Sequence, residues 1–252
     1  MDLRDKSFVV GGASRGIGRA IAAELVGAGA RVLLLSRSAE SVEAAAAELG
    51  ELATPLAADI AAPDTPERVR ATLGDRLDGV VVNSGGPPLG RALEISDDEW
   101  RGSYELLIGG PLRLLRGLVP LMSEGGAIVF VTSSSVRQPI DGLDTSNVLR
   151  PGVNALAKVL SRELGPRGIR VNSVVPGRID TDRLRSNDET SAERQGRDVE
   201  DVRRDSAAQI PLARYGKPEE MGRVAAFLLS DAAAYVNGAA VQVDGGLVTA
   251  LP

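Results

Sequence analysis

The chain has 252 residues, none of them cysteine or histidine, with only three tyrosines and, read along the sequence, three lysines. That composition excludes a disulfide framework, a thiolate nucleophile or zinc site, a Ser-His-Asp triad and an imidazole base, and leaves any metal to carboxylates alone, so no metal site is expected. A net charge of −5, with arginines that form no basic run, offers no field for a phosphate backbone, so nucleic acid is not an expected partner. With 43% hydrophobic and 25% charged residues the chain fits a single α/β domain over residues 1–252 with a sizeable core. Charged residues lead directly into a strand-like run at the start, and no window reaches the roughly 18 apolar residues of a membrane span, so a cytoplasmic protein with no membrane partner is expected.

Short runs of Val, Ile and Leu alternate with longer amphipathic stretches, the pattern of βαβ units around a buried parallel sheet. Strands are expected at Ser7–Gly11, Arg31–Ser36, Ala53–Ala58, Gly79–Val82, Ala127–Thr132, Arg170–Val174 and Ala240–Val243. A helix over Gly16–Gly27 buries Ile17, Ala20, Ile21 and Leu25 at helical spacing and stops at glycine. Another starts near Ser96, with Asp97, Asp98 and Glu99 in its positive first turn, and runs to about Met122 with a kink at Gly109-Gly110-Pro111. Asp182 to Asp205 is too charged to be core, so the stretch of about 182–209 is a solvated helical excursion, a lid over a pocket, or both.

The segment Gly12-Ala13-Ser14-Arg15-Gly16-Ile17-Gly18 follows an apolar strand and opens a helix. Glycine permits the tight turn and close approach, and the free amides of the helix start bind a pyrophosphate. At the end of the next strand, Ser36 and Arg37 stand where an NAD site would present an acid for the ribose hydroxyls. Arg37 and Arg15 can clamp a 2′-phosphate, which favours NADP(H) over NAD(H), unless both are merely solvated.

From these residues onward the chain resembles the short-chain dehydrogenase/reductase family nearly end to end. Gly12, Gly16 and Gly18 match its glycine motif, Asp59-Ile60 its adenine site, Asn83-Ser84-Gly85-Gly86 its Asn-Asn-Ala-Gly strand end, and Gly126 to Ser133 its Ser-Ser strand. Pro176-Gly177 with Ile179 and Thr181 is similar to its nicotinamide turn, and Val236 to Gly246 to its C-terminal signature. The resemblance implies a doubly wound Rossmann-like α/β fold with a seven-stranded parallel sheet. It also implies a small-molecule carbonyl or alcohol substrate and a homotetramer or homodimer, assembled through the helices near Ser96–Met122 and Ser146–Gly165.

The family's catalytic set is Asn, Ser, Tyr and Lys. The resemblance places Leu107, Ser133, Ser146 and Arg150 at those four positions, so three are changed and Leu107 is not expected to act. Tyr215 and Tyr235 read as packing residues and Tyr104 reaches at best the pocket rim, while Lys6, Lys158 and Lys217 lie elsewhere. Pro151 disfavours helical geometry at Arg150. If the helix begins at Pro151, Ser146 and Arg150 need not share a face. Two readings stay open: an NADP(H)-dependent oxidoreductase in which Ser133, Ser146 and Arg150 form an altered catalytic set, and a catalytically silent NADP(H)-binding sensor or partner subunit.

Overall fold

The computed structural model describes residues 1–74 and 76–250. In chain order the main elements are β1 (Ser7–Gly11), α1 (Gly16–Gly27), β2 (Arg31–Ser36), α2 (Ala39–Leu49), β3 (Ala53–Ala57), α3 (Thr65–Leu73), β4 (Leu77–Val82), α4 (Asp97–Tyr104), α5 (Gly110–Leu118), β5 (Met122–Val131), α6 (Asp144–Leu164), β6 (Arg170–Pro176), α7 (Asp182–Gln195), α8 (Val199–Ala208), α9 (Pro218–Leu229) and β7 (Ala240–Val243). The seven strands form one all-parallel sheet in the order β3-β2-β1-β4-β5-β6-β7. Chain direction across the sheet reverses between β1 and β4, and in a doubly wound sheet the ligand crevice opens at the carboxyl ends of those strands.

Successive strand residues point to opposite faces, and the core divides accordingly. Phe8, Val10, Val32, Leu34, Val81 and Val129 pack with Ile21, Leu25, Val42, Met221 and Leu228 of α1, α2 and α9. Val9, Leu33, Leu35, Val80, Val82, Ile128 and Phe130 pack on the other side with Val69, Leu114, Leu118, Val153 and Leu164 of α3, α5 and α6. Burial on both faces explains why the central strands read as unbroken apolar runs. Among the described residues, no helix is long and apolar enough to cross a membrane.

Three local expectations change. The helix from Ser96 does not reach Met122: it starts with a capping box between Ser96 and Glu99, opens into a π-helical turn at Glu105–Gly109, and ends as α5 at Leu118. The wide turn absorbs the irregularity expected at Gly109-Gly110-Pro111 and leaves Pro111 in the first turn of α5, where a missing amide does no harm. Gly110 is needed for packing, since a Cβ there would fall 2.5 Å from Ala61 Cα on the loop after β3. Met122 instead begins β5, paired with Leu77.

The start of α6 is the second change. The helix begins at Asp144 and runs through Pro151, so Arg150 is helical and Ser146 lies one turn before it on the same face. A buried stripe of Val153, Ala157, Leu160 and Leu164 holds the helix against the sheet, and tertiary packing overrides the local bias of the residue before proline. Third, Tyr235 is not a packing residue: its side chain is fully exposed.

Candidate functional site

The glycine-rich turn and the ends of β1 and β4 form one cradle. Gly12 and Gly16 have φ of 59° and 57°, a region that favours glycine. Gly18 must lack a side chain, because a Cβ would collide with Gly12 O and sit 2.7 Å from Asn83 Nδ2. Asn83 Nδ2 donates to Gly11 O at 3.0 Å, tying the end of β4 to the turn. Arg15 is the N-cap of α1 and makes no side-chain cap, so the first amides of the helix are met by no capping side chain. Free amides around a collar closed to any Cβ fit a pyrophosphate.

On the adenosine side, Ser14 Oγ and Ser36 Oγ lie 3.0 Å apart, which brings the exposed side chains of Arg15 and Arg37 to one rim. Asp59 Oδ1 accepts from Ala61 N at 2.9 Å and its carbonyl from Thr65 Oγ1 at 2.5 Å, shaping the loop after β3, where Ile60 is buried near Gly11. Ser84 and Gly85 continue past the end of β4 into the crevice. At the far end, Gly177 follows β6, with its amide on Val243 O at 3.1 Å, and its missing side chain admits Asp244. Ile179 is buried, and Thr181 caps α7 through Leu184 N while its methyl faces Gly16. Ile17 packs at the edge of the first core cluster. Thus Asn83 lies against Gly12 and Gly18, and Thr181 against Gly16, on the two sides of the turn.

The catalytic positions converge on the end of β5. Ser133 follows Thr132 and accepts from Ser135 N at 3.2 Å. Arg150 comes up from α6, is 8% exposed, and donates through Nη1 to Val131 O at 3.0 Å and Thr132 O at 3.2 Å. Its Nε finds no partner among the described residues. Burial, and then the charge of Arg183, lower its pKa from the ordinary arginine value to about 10. Ser146 is buried on the same face of the helix. Leu107, in the π-helical turn, is 2% exposed and belongs to the apolar core, with no polar group to offer.

None of the three lysines or three tyrosines reaches this point. Lys6 pairs with Asp78, Lys158 donates to Gly238 O, and Lys217 caps α9. Tyr104 is half-exposed at the end of α4. Tyr215 is half-buried in the turn before α9, its hydroxyl donating to Asp188 Oδ2 of α7 at 3.2 Å and its ring flanked by Arg178 and Arg203 at 5.8 and 4.9 Å. Among the described residues no group of three acids is placed to hold a metal ion.

Sequence reasoning missed two residues in the charged excursion. Asp188 is 2% exposed and accepts from Arg178 Nη1 at 3.1 Å and Arg203 Nη1 at 3.2 Å as well as from Tyr215, so it joins α7 and α8 to the end of β6. Only its register on the inner face of α7 distinguishes it in sequence from its exposed acidic neighbours. Asp188→Ala strips a buried carboxylate from two cations and is expected to cost about 3 kcal/mol. Thermal unfolding, with hydrogen exchange localising the loss to residues 182–208, is the check. The second is Arg183, whose Nη2 donates to Pro87 O at 3.2 Å across the crevice. Its signal is position: it lies in the first turn after the Thr181 cap, which aims it back at the crevice.

Known proteins match the chain over nearly its whole length. A family model described as Enoyl-(Acyl carrier protein) reductase matches residues 12–248. The chain is 35% identical over 257 residues to the 3-oxoacyl-(acyl-carrier-protein) reductase FabG of Pseudomonas aeruginosa, covering 98% of this chain and 99% of that one. L-Sorbose reductase from Gluconobacter frateurii, solved with NADPH and L-sorbose, superposes with a TM-score of 0.92 at 31% identity, covering 100% of this chain and 99% of that one. A short chain oxidoreductase from Pseudomonas aeruginosa containing an atypical catalytic center superposes with a TM-score of 0.89 at 30% identity, covering 100% of both chains. The chain belongs to the short-chain dehydrogenase/reductase family of oxidoreductases.

Proposed function

We propose that this chain is an NADP(H)-dependent oxidoreductase for a carbonyl or alcohol substrate, working with Ser133, Ser146 and Arg150 in place of the family's tyrosine and lysine. One observation carries this reading: the buried Arg150 guanidinium rests on the carbonyls of Val131, the last residue of β5, and of Thr132, which Ser133 follows in the chain. The sequence contains no tyrosine followed four residues later by lysine, at this or any other position.

The cradle would hold the cofactor's pyrophosphate on the α1 amides, its 2′-phosphate on Arg15 and Arg37, and its nicotinamide end along Asn83, Pro176, Gly177, Ile179 and Thr181. When bound, NADPH supplies the hydride that goes to the carbonyl carbon. Ser133 would orient the carbonyl by donating to its oxygen, with Ser146 as a second hydroxyl. Arg150, a fixed cation in a water-poor site, would stabilise the negative charge that grows on that oxygen. Neither a serine nor a charged arginine is an acid near neutral pH, so the proton for the oxygen comes from water or from the substrate.

Reduction of NADPH-supported carbonyl compounds by the wild type, lost in Ser133→Ala, tests the reading. NADPH binding by fluorescence with no turnover across a carbonyl panel would leave a silent binding protein instead. For the cofactor, Ser36→Asp with Arg37→Ala is expected to weaken NADPH binding about a hundredfold, roughly 3 kcal/mol for two charge-assisted hydrogen bonds, and to leave NADH as the tighter ligand. Fluorescence titration with both nucleotides checks it. The same reading joins subunits into a homodimer or homotetramer through α4–α5 and α6, whose Tyr104, Val148 and Val159 are exposed in the single chain.

A further inference from the structure

The charged excursion over the crevice is largely self-neutralising: among the described residues two of its six arginines, Arg183 and Arg194, form no ion pair, and of these Arg183 is the one that reaches the crevice. Arg185, Arg197, Arg203 and Arg204 each face a carboxylate. Asp182, the acid next to Arg183 in sequence, is already paired with Arg185. Arg183 forms no ion pair among the described residues, and it lies over Gly86, where a Cβ would collide with its guanidinium. Glycine at that position therefore lets an arginine from the lid rest on the backbone just past β4.

Arg150 approaches from the other wall, beside β5, which pairs with β4. It too has no ion pair, and its Nε is buried without a partner. The two are close enough that the charge of Arg183 adds to burial in lowering the pKa of Arg150, while Arg183 is lowered by its own burial and by Arg15. Thr145 Oγ1 donates to Pro88 O at 3.1 Å and fixes the first turn of α6, beside Ser146, against the loop that Arg183 covers. Arg150 is buried with no counter-charge among the described residues, which costs energy until an anion joins it, and Arg183, though exposed, is equally unpaired at the mouth of the same crevice.

We propose that Arg183 and Arg150 form a seat for an anionic group carried by the substrate, so that the preferred carbonyl compounds are oxo acids, with a carboxylate or phosphoryl group near the carbonyl, rather than neutral ketones. This rests on the oxidoreductase reading for the carbonyl but not for the anion. The cofactor's phosphates are assigned to the α1 amides, Arg15 and Arg37; Arg15 lies near enough to act on Arg183, so the two seats adjoin, and the NADPH affinity of an Arg183 variant tells them apart. Arg183 joins the lid to that substrate seat, and the anion would close the lid by bridging the two walls.

The test has a binding arm and a turnover arm. Protein saturated with NADP+ is titrated calorimetrically with benzoate, phenylphosphonate and benzamide. Levulinate, its methyl ester and 2-oxopropylphosphonate are offered with NADPH. Both anions, or one of them, are expected to bind the wild type at least about tenfold more tightly than benzamide, and Arg183→Gln is expected to remove that margin while changing the NADPH Kd less than about threefold. Which anion wins separates a carboxylate substrate from a phosphoryl one. In turnover the charged ketones are expected to exceed the ester in kcat/KM, through KM. Equal binding of the anions and benzamide, or none at all, overturns the proposal. So does a loss of NADPH affinity of about tenfold or more in Arg183→Gln, which would assign that arginine to the cofactor phosphates. Anion binding that depends on Arg183 with no ketone reduced would retain the seat and refute the oxidoreductase reading alone.

Discussion

Replacing Arg150 with methionine is expected to lower kcat/KM for carbonyl reduction by about a hundredfold or more while leaving the protein without ligands at least as stable as the parent. The two effects have one origin. Removing the guanidinium takes away the cation that rests on the Val131 and Thr132 carbonyls, and with it the charge that stabilises the developing oxyanion. In the unliganded fold that same cation is a burden, because it is buried without a carboxylate and its pKa is held down at about 10. The drop from the ordinary arginine value corresponds to about 3 kcal/mol of unfavourable burial. Hydrogen bonds to the Val131 and Thr132 carbonyls return about 2 kcal/mol. Methionine fills a similar volume without the charge.

The pH dependence follows with a definite sign. Arg150 has a lower pKa folded than unfolded, so between about 10 and the ordinary arginine value the unfolded chain binds more protons and wild-type stability gains as pH rises through that window. Below pH 10 the penalty is constant, and the stability difference between Arg150→Met and wild type is therefore flat from neutrality upward to that point. Urea unfolding at several pH values measures it. A loss of more than about 2 kcal/mol in the variant would mean that the carbonyl hydrogen bonds outweigh the desolvation.

Gly18→Ala is the second large effect, and it acts on the cradle. The added Cβ meets the backbone of Gly12, colliding with its O and lying 2.7 Å from its C, and it also lies 2.7 Å from Asn83 Nδ2, a side-chain amide held by its hydrogen bond to Gly11 O. Either α1 moves away from the turn or the Asn83 to Gly11 hydrogen bond breaks. Overpacking of this kind costs about 1–3 kcal/mol in stability. The displaced amides are expected to weaken NADPH binding by a further factor of about ten to a hundred, read by fluorescence titration beside a thermal melt. Gly27→Ala, on the same helix, is the control, because a Cβ there meets nothing within 4 Å.

Much of the fold is legible because its signals are local. β1, β2, β7 and α1 have the limits expected from apolar runs bounded by charge and glycine, and the cradle is set by glycines whose absent side chains are a property of the sequence itself. What fails is where packing competes with local preference. Pro151 argues for a helix start, yet α6 already has a buried stripe anchoring it and continues through the proline. Met122 looks like the end of a helix, but pairing with Leu77 makes it strand. Charge pairing is less legible still. Nothing in a run of eight acids and six arginines marks Asp188 as buried, or Arg183 as an arginine left without an acid and turned to the crevice, since both facts depend on how α7 and α8 fold back on each other.

A crystal structure of the NADPH complex tests the central claim most directly. The account predicts the adenosine 2′-phosphate at Arg15 and Arg37, the nicotinamide ring at the end of β5 facing Ser133 and Arg150, and no tyrosine hydroxyl within hydrogen-bond reach of the carbonyl position. A ring bound elsewhere, or Tyr104 swung in from α4 to face it, would contradict the account.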